Sequence, residues 1–173
     1  MKVLQSEILY TGRLRAVREQ LENDRGKRYS HETIEHPGAV VILPLLDDGQ
    51  IVFVSQYRHS IRRAILELPA GTLELNEPPE RCAQREIAEE IGMAAREMIP
   101  LGILYPAPGF CTEIQHLFVA RGLYPQAGIP DEDEDIELSI MALEKAEQSV
   151  VTGAISDAKS IAVLMRARLQ GII

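Results

Sequence analysis

Apolar and polar positions alternate over the first third of the chain with the short period of strands, not the longer period of helices. Met1 to Val17 sets Val3, Leu4, Ile8 and Leu9 among polar residues, and Asn23-Asp24-Arg25-Gly26 carries turn residues. Tyr29 to Glu35 alternates again, like the second arm of an antiparallel pair. Pro37-Gly38 breaks the pattern, and Ala39 to Leu46 follows as an almost continuous apolar run, which reads as a strand buried on both faces. Asp47-Asp48-Gly49 makes a tight turn into the β-rich Gln50 to Tyr57, so residues 39–57 predict a core hairpin.

The period then changes. Cys82, Ala83, Ile87 and Ile91 recur at helical spacing, Pro79 sits near the start and Gly92 ends the run, predicting a helix over Pro79 to Ile91. Leu101 to Tyr105 and Gln115 to Ala120 predict strands on either side of a loop, Pro106 to Thr112. Gly128 to Asp135 is an acidic stretch. Two closing helices are predicted over 142–151 and 156–170, with Gly153 between them and Ser156 or Asp157 as an N-cap. Strands, a helix, more strands and then helices predict a mixed α/β domain with helices packed on a sheet.

Composition narrows the function classes. A chain of 173 residues suits one compact domain, and 46% hydrophobic with 25% charged residues is ordinary globular composition. The net charge of −8 argues against a general nucleic-acid binder and leaves divalent cations as natural partners. No apolar run approaches the ~20 residues that span a bilayer, and Met1 to Tyr10 lacks the apolar core of a signal peptide. Cys82 and Cys111 lack metal-ligand spacing and read as buried free thiols of a reduced, cytoplasmic chain.

The predicted helix carries the candidate chemistry. At about 100° per residue, Glu89 lies about 300° from Glu86 and Glu90 about 40° from it, so three carboxylates share a third of the circumference. Ile87 and Ile91 fall on a separate face that can be buried. Like charges one turn apart repel, so the three glutamates are either a solvated acidic face or a set bridged by cations. Mg²⁺ is the natural bridge, because it takes hard oxygen ligands and retains waters beside substrate phosphates.

The spacing decides between these two readings. Gly71, Glu77, Arg85, Glu86, Ile87, Glu89, Glu90, Gly92 and Met93 fill, in order, every specified position of the pattern G-x5-E-x7-R-E-U-x-E-E-x-G-U, where U is bulky and apolar. At average residue frequencies a chance match in this chain is on the order of one in ten million. The segment resembles the Nudix box. The resemblance implies an α/β/α sandwich with a mixed sheet, here with a small N-terminal antiparallel β-sheet, and hydrolysis of a nucleoside diphosphate linked to another moiety. It also implies Glu86 and Glu90 as metal ligands and Glu89 as a ligand or nearby acceptor with a catalytic part. Arg85 would hold these carboxylates in register, and Glu77 would fix the loop-helix geometry of the box.

Features outside the box resemble one branch of that family, the ADP-ribose pyrophosphatases and related nucleotide-sugar hydrolases. Glu67-Leu68-Pro69-Ala70-Gly71 is the branch's E-x-P-A-G lead-in, where the carbonyl of Ala70 would ligate metal. Gln56-Tyr57-Arg58 matches its Q-x-R stretch, with Arg58 on substrate phosphate. Tyr105 to Phe110 resembles the branch's proline loop, which puts Pro108 and the following Glu113 beside substrate. Pro130 to Asp135 resembles its acidic loop, with Glu132 as general base and Glu134 as a metal contact, and Gly153 to Ser160 resembles its entry to the terminal helix. His36 is the best further candidate for substrate contact.

The resemblance implies Mg²⁺, with Mn²⁺ as the alternative, and a nucleoside diphosphate sugar as substrate, ADP-ribose first. No nucleic acid and no membrane is expected as a partner. Residues 1–36 read as a β-sheet arm and 37–173 as the hydrolase domain. The arm holds few large apolar residues and is marginal alone. In that branch the arm crosses to the other subunit, so a homodimer with swapped arms is expected, burying more than ~2,000 Å² and placing Arg13 near the partner's nucleotide. The rival expectations are a Nudix hydrolase of GDP-mannose, a dinucleoside polyphosphate or an oxidised nucleotide, and a non-catalytic ADP-ribose sensor.

Overall fold

The computed structural model of the chain describes residues 1–12, 14–129 and 135–173. Strands β1 (Lys2–Thr11), β2 (Arg15–Glu22) and β3 (Arg28–Glu35) form an antiparallel sheet in that order. The first apolar stretch is thus two strands. The predicted turn sits between β2 and β3, where Asn23 Oδ1 accepts from the backbone N–H of Arg25 (2.9 Å) and Lys27 (3.0 Å). Gly26 supplies the left-handed residue of that turn, φ 73°.

The rest of the chain runs β4 (Ala39–Pro44), β5 (Gln50–Arg58), β6 (Arg63–Glu67), β7 (Ala70–Thr72), α1 (Pro79–Ile91), β8 (Met93–Leu104), β9 (Gln115–Pro125), β10 (Ile136–Ala142), α2 (Leu143–Thr152) and α3 (Ala158–Leu169). One sheet has the order β7-β4-β9-β8 and is mixed, since β4 and β9 are parallel and the other pairs antiparallel. A second sheet has the order β10-β5-β6 and is antiparallel throughout.

Alternation along the buried strands builds two cores. Val40 and Ile42 of β4, Val52 and Val54 of β5, and Phe118 and Ala120 of β9 pack with Cys82, Ala83, Ile87 and Ile91 of α1. The intervening residues Val41, Leu43, Ile51, Phe53, Leu117 and Val119 pack on the other side with Ala146 of α2 and Val163, Leu164 and Ala167 of α3. Side chains of a strand point alternately to opposite faces, so a strand apolar at every position needs a helix layer on each side. The result is the predicted α/β/α sandwich.

The predicted pairing of the two apolar strands fails. Residues 39–57 do not form a core hairpin: β4 pairs with β7 and β9, whereas β5 pairs with β6 and β10. Among the described residues, backbone pairing between the two segments is limited to the bridge Leu45–Ile51 and the bond from Leu46 N–H to Gln50 O (2.9 Å). Pro44 offers no N–H to a ladder, and Leu45 N–H donates to Ala120 O on β9, so the chain leaves one sheet before entering the other. Two uniformly apolar strands satisfy burial with any neighbours, so their pattern does not select each other as partners.

Helix α1 has the predicted bounds, with Pro79 in its first turn and Gly92 left-handed at its end, where the Gly92 N–H donates to Ile87 O. Asp157 caps α3 by accepting from the Ser160 N–H. Strand β8 begins at Met93 instead of Leu101, and β10 was not predicted. The N-terminal sheet is stitched to the proline loop. Ile34 N–H donates to Phe110 O (2.7 Å), Thr112 N–H to Ile34 O (2.9 Å), and His36 N–H to Thr112 Oγ1 (2.9 Å).

Candidate active site

Glu86 and Glu90 are each 8% exposed, which removes the reading of a solvated acidic helix face. Arg85 answers much of the resulting charge. Its Nε and Nη2 donate to the two oxygens of Glu77 (3.1 and 3.0 Å), and its Nη1 donates to Glu86 Oε1 (2.7 Å) and Glu89 Oε2 (2.8 Å). Nη2 also reaches Thr72 O (3.2 Å) and Cys82 Sγ (3.3 Å). The planar fork of arginine suits this multiple engagement, and each bond to a carboxylate is charge-assisted.

The Arg85 bonds, above all, hold the Glu77 carboxyl down at about 2, and the bond from the Glu74 N–H (3.0 Å) adds to them. Reciprocally, Glu77 raises the Arg85 pKa. Glu77 therefore ties the loop before α1 to the helix, as its place in the motif predicts. Burial pushes the Cys82 thiol up, away from thiolate, as expected of an inert buried cysteine. Cys111, also predicted buried, is only half-buried.

Strand β7 lies against α1 at van der Waals limit. A Cβ on Gly71 would stand 1.7 to 2.2 Å from the carboxyl atoms of Glu86. The motif needs glycine there for close approach, because the Glu86 carboxylate fills the space a side chain would take. Gly128 makes a similar approach from the far side: a Cβ there would meet the backbone of Ala88 and Glu89 at 2.3 to 2.5 Å. That contact seats Gly128, just before the acidic stretch of the sequence, on α1.

Beside β7 opens a cleft of about 240 Å³. Of the predicted substrate and metal residues, His36, Arg58, Ala70 and Glu113 line it. Arg58 is held on its inner side by Glu67, through Nε to Oε1 (2.5 Å) and Nη2 to Oε2 (2.9 Å), which leaves Nη1 outside the pair. The Glu67 bond raises the Arg58 pKa against the opposing effect of burial, with Glu90 and Asp157 adding to it. Glu67 is 1% exposed and carries a second cation, Lys159, whose Nζ also lies 3.1 Å from Asp157 Oδ1. Ser160 Oγ accepts from the Leu68 N–H (2.7 Å), so α3 is pinned to the E-x-P-A-G segment beside the cleft.

Pro108 sits on an exposed turn and is not among the residues lining this cleft. Arg13, Glu132 and Glu134 lie outside the described residues. Among the described residues no three His, Cys, Asp or Glu side chains are grouped to hold a metal by themselves. Sequence reading missed Gln115 and Lys159, which also line the cleft, and missed the pairing of Glu67. Glu67 left a signal, because a lone carboxylate inside Ile65-Leu66-Glu67-Leu68 must find cations when it is buried.

A sandwich of this topology, with the motif folded as loop and helix and its buried carboxylates set against β7, defines the class, and residues 35–164 match the family described as NUDIX domain. The chain belongs to that family. It is 37% identical to the ADP-ribose pyrophosphatase of Bacillus subtilis (strain 168) over 92% of this chain and 88% of that one. It is 35% identical to the methanol dehydrogenase activator of Bacillus methanolicus over 98% of this chain and 93% of that one. A crystal structure of an ADP compounds hydrolase superposes with a TM-score of 0.88 at 23% identity, covering 98% of this chain and 92% of that one, which establishes the shared fold.

Proposed function

We propose that the chain hydrolyses the pyrophosphate bond of ADP-ribose or a related nucleoside diphosphate sugar, releasing a nucleoside monophosphate and a sugar phosphate. The observation that carries this reading is the pairing of opposites about β7. Buried carboxylates of α1 lie on one side of β7, and the guanidinium of Arg58 lies on the cleft wall. The similarity to the Bacillus subtilis ADP-ribose pyrophosphatase supports the choice of substrate.

The donor set fits a hard divalent cation, Mg²⁺ first and Mn²⁺ as the alternative. Glu77, Glu86 and Glu89 place three carboxylates around one arginine, and Glu90 is buried on the same helix, so the set is rich in the hard oxygens such a cation takes. Glu86, Glu90 and the Ala70 carbonyl would hold the cation, with Glu134 joining from the acidic loop. When bound, it would neutralise charge on the phosphate oxygens as the P–O bond breaks.

The residues of the chain do the remaining work. Arg85 keeps Glu86 and Glu89 in register. Arg58, fixed by Glu67, offers Nη1 to a phosphate oxygen. Glu132 takes a proton from the attacking water, whose oxygen bonds to phosphorus as the bridging oxygen leaves. Glu113 and His36 face the substrate from the cleft wall, and Pro108 shapes the loop between them. The arm, residues 1–36, serves as a separate unit that crosses to a second copy in a cytoplasmic homodimer and brings Arg13 to the partner's nucleotide. Val3, Ile8 and Tyr10, each more than half exposed on β1, provide apolar surface for that contact.

The test is hydrolysis of ADP-ribose, ADP-glucose, GDP-mannose and a dinucleoside polyphosphate side by side with Mg²⁺ and with Mn²⁺, products separated by chromatography. AMP and ribose 5-phosphate as the dominant products support the reading. Preference for the dinucleoside polyphosphate, or no turnover of any sugar nucleotide, overturns it.

A further inference from the structure

Gln115 opens β9 and is 6% exposed, so its amide is almost wholly removed from solvent. Its Nε2 donates to Glu113 Oε1 at 2.8 Å. A carboxylate only accepts, so this bond sets which end of the amide faces Glu113 and leaves Oε1 on the other side. Oε1 is buried and has no hydrogen-bond partner among the described residues. Buried polar atoms are paired in the great majority of folded proteins, and an exception asks for an explanation.

The neighbours of Gln115 cannot supply the missing donor. Across the ladders it faces Ala39 on β4 and Leu104 on β8, neither of which has a polar side chain. The two cations of the same cleft, Arg58 and Lys159, are turned to Glu67, and Lys159 also to Asp157. His36 Nδ1 accepts from the Gly38 N–H.

The lining of the cleft therefore carries two chemically distinct sets of groups. Arg58 and Lys159 are cations suited to phosphate oxygens. The Glu113 carboxylate and Gln115 Oε1 are acceptors, which repel phosphate oxygens and attract hydroxyl groups. We infer that Gln115 is a specificity-determining residue whose Oε1 accepts a hydrogen bond from a hydroxyl of the sugar beyond the pyrophosphate, beside a second hydroxyl taken by Glu113. This rests on the function proposed above. Two adjacent acceptors match the vicinal hydroxyls of a pentose or hexose, and a site built to pair a hydroxyl discriminates strongly against an analogue lacking it.

The experiment compares the wild type with Gln115→Met on two substrates, ADP-ribose and the β-methyl ester of ADP, which keeps adenosine and the pyrophosphate but has no hydroxyl beyond it. A hydrogen bond present in both ground and transition states acts on KM more than on kcat. The KM for ADP-ribose should rise roughly tenfold with kcat within about twofold, the size of one lost neutral hydrogen bond. Kinetics on the methyl ester should stay unchanged, which also shows that the variant folds. Equal losses on both substrates would place Oε1 on the pyrophosphate, a cation-bound water or the adenosine, and would overturn the inference. No change on either substrate would mean that solvent satisfies Oε1, and would overturn it too. A wild type inactive on every sugar nucleotide refutes the function proposed above and the inference with it. A wild type active on ADP-ribose with an indifferent Gln115→Met refutes the inference alone.

Discussion

Glu77→Gln removes one charge from the loop-helix junction while keeping the side chain's size. Glu77 accepts from Arg85 through both oxygens and from the Glu74 N–H, and its side chain is 8% exposed. Its carboxyl sits at about 2, against 4.5 for an unperturbed glutamate. A depression of that size sets a ceiling of about 3.5 kcal/mol on the stability it contributes at neutral pH. The sign follows from the direction of the shift. The folded pKa is the lower one, so the contribution is complete above about pH 4.5 and is lost as the pH falls toward 2. The variant turns an amide N–H₂ toward the arginine and lacks this component, so we expect it to be about 2 kcal/mol less stable than wild type at pH 7. For a chain of this size that is a fall in Tm of about 4–8 °C. Urea unfolding at pH 7, 5, 4 and 3, at one protein concentration, reads both curves. The gap should hold from pH 7 to 5 and narrow to roughly half by pH 3. A gap that stays constant down to pH 3, or no gap at pH 7, would refute the assigned ion pair.

Three further outcomes are expected. Gly71→Ala drives a Cβ into the Glu86 carboxylate, which is the free end of a side chain and can swing aside; kcat should fall roughly a hundredfold with stability within about 1 kcal/mol, and a large loss of stability with intact kcat would contradict the close-approach argument. Glu90→Gln should lower kcat roughly a hundredfold at saturating Mg²⁺ with the circular dichroism spectrum unchanged, whereas near-normal turnover would remove Glu90 from the metal site. Light scattering should return twice the chain mass of 19.3 kDa, and deletion of Met1 to Asp24 should abolish both the dimer and activity; a fully active monomer would sink the shared pocket.

Local physics made much of this protein readable in advance. The bounds of α1 follow from Pro79, the apolar spacing of Cys82, Ala83, Ile87 and Ile91, and Gly92, all within one segment. The same holds for the turn at Asn23 to Gly26 and for the cap at Asp157. The box was legible because its chemistry is packed into a loop and one helix, where spacing converts directly into geometry. Glu77, Arg85, Glu86 and Glu89 meet as their positions require.

What the tertiary structure alone decided is pairing between distant segments. Ala39 to Leu46 and Gln50 to Tyr57 are each recognisable as strands, yet burial on both faces makes them indifferent to partner, and the two helix layers together with Pro44 send them to different sheets. β10 escaped notice because its alternation is short and follows an acidic run, and only pairing with β5 makes it a strand. Glu67 finds Lys159 at a separation of 92 residues, and Gln115 meets the cleft only because β9 lies beside β4. Helix periodicity is a property of neighbours in sequence, whereas the partners of a buried charge or a lone amide oxygen are chosen by whichever strands and helices the folded core brings beside them.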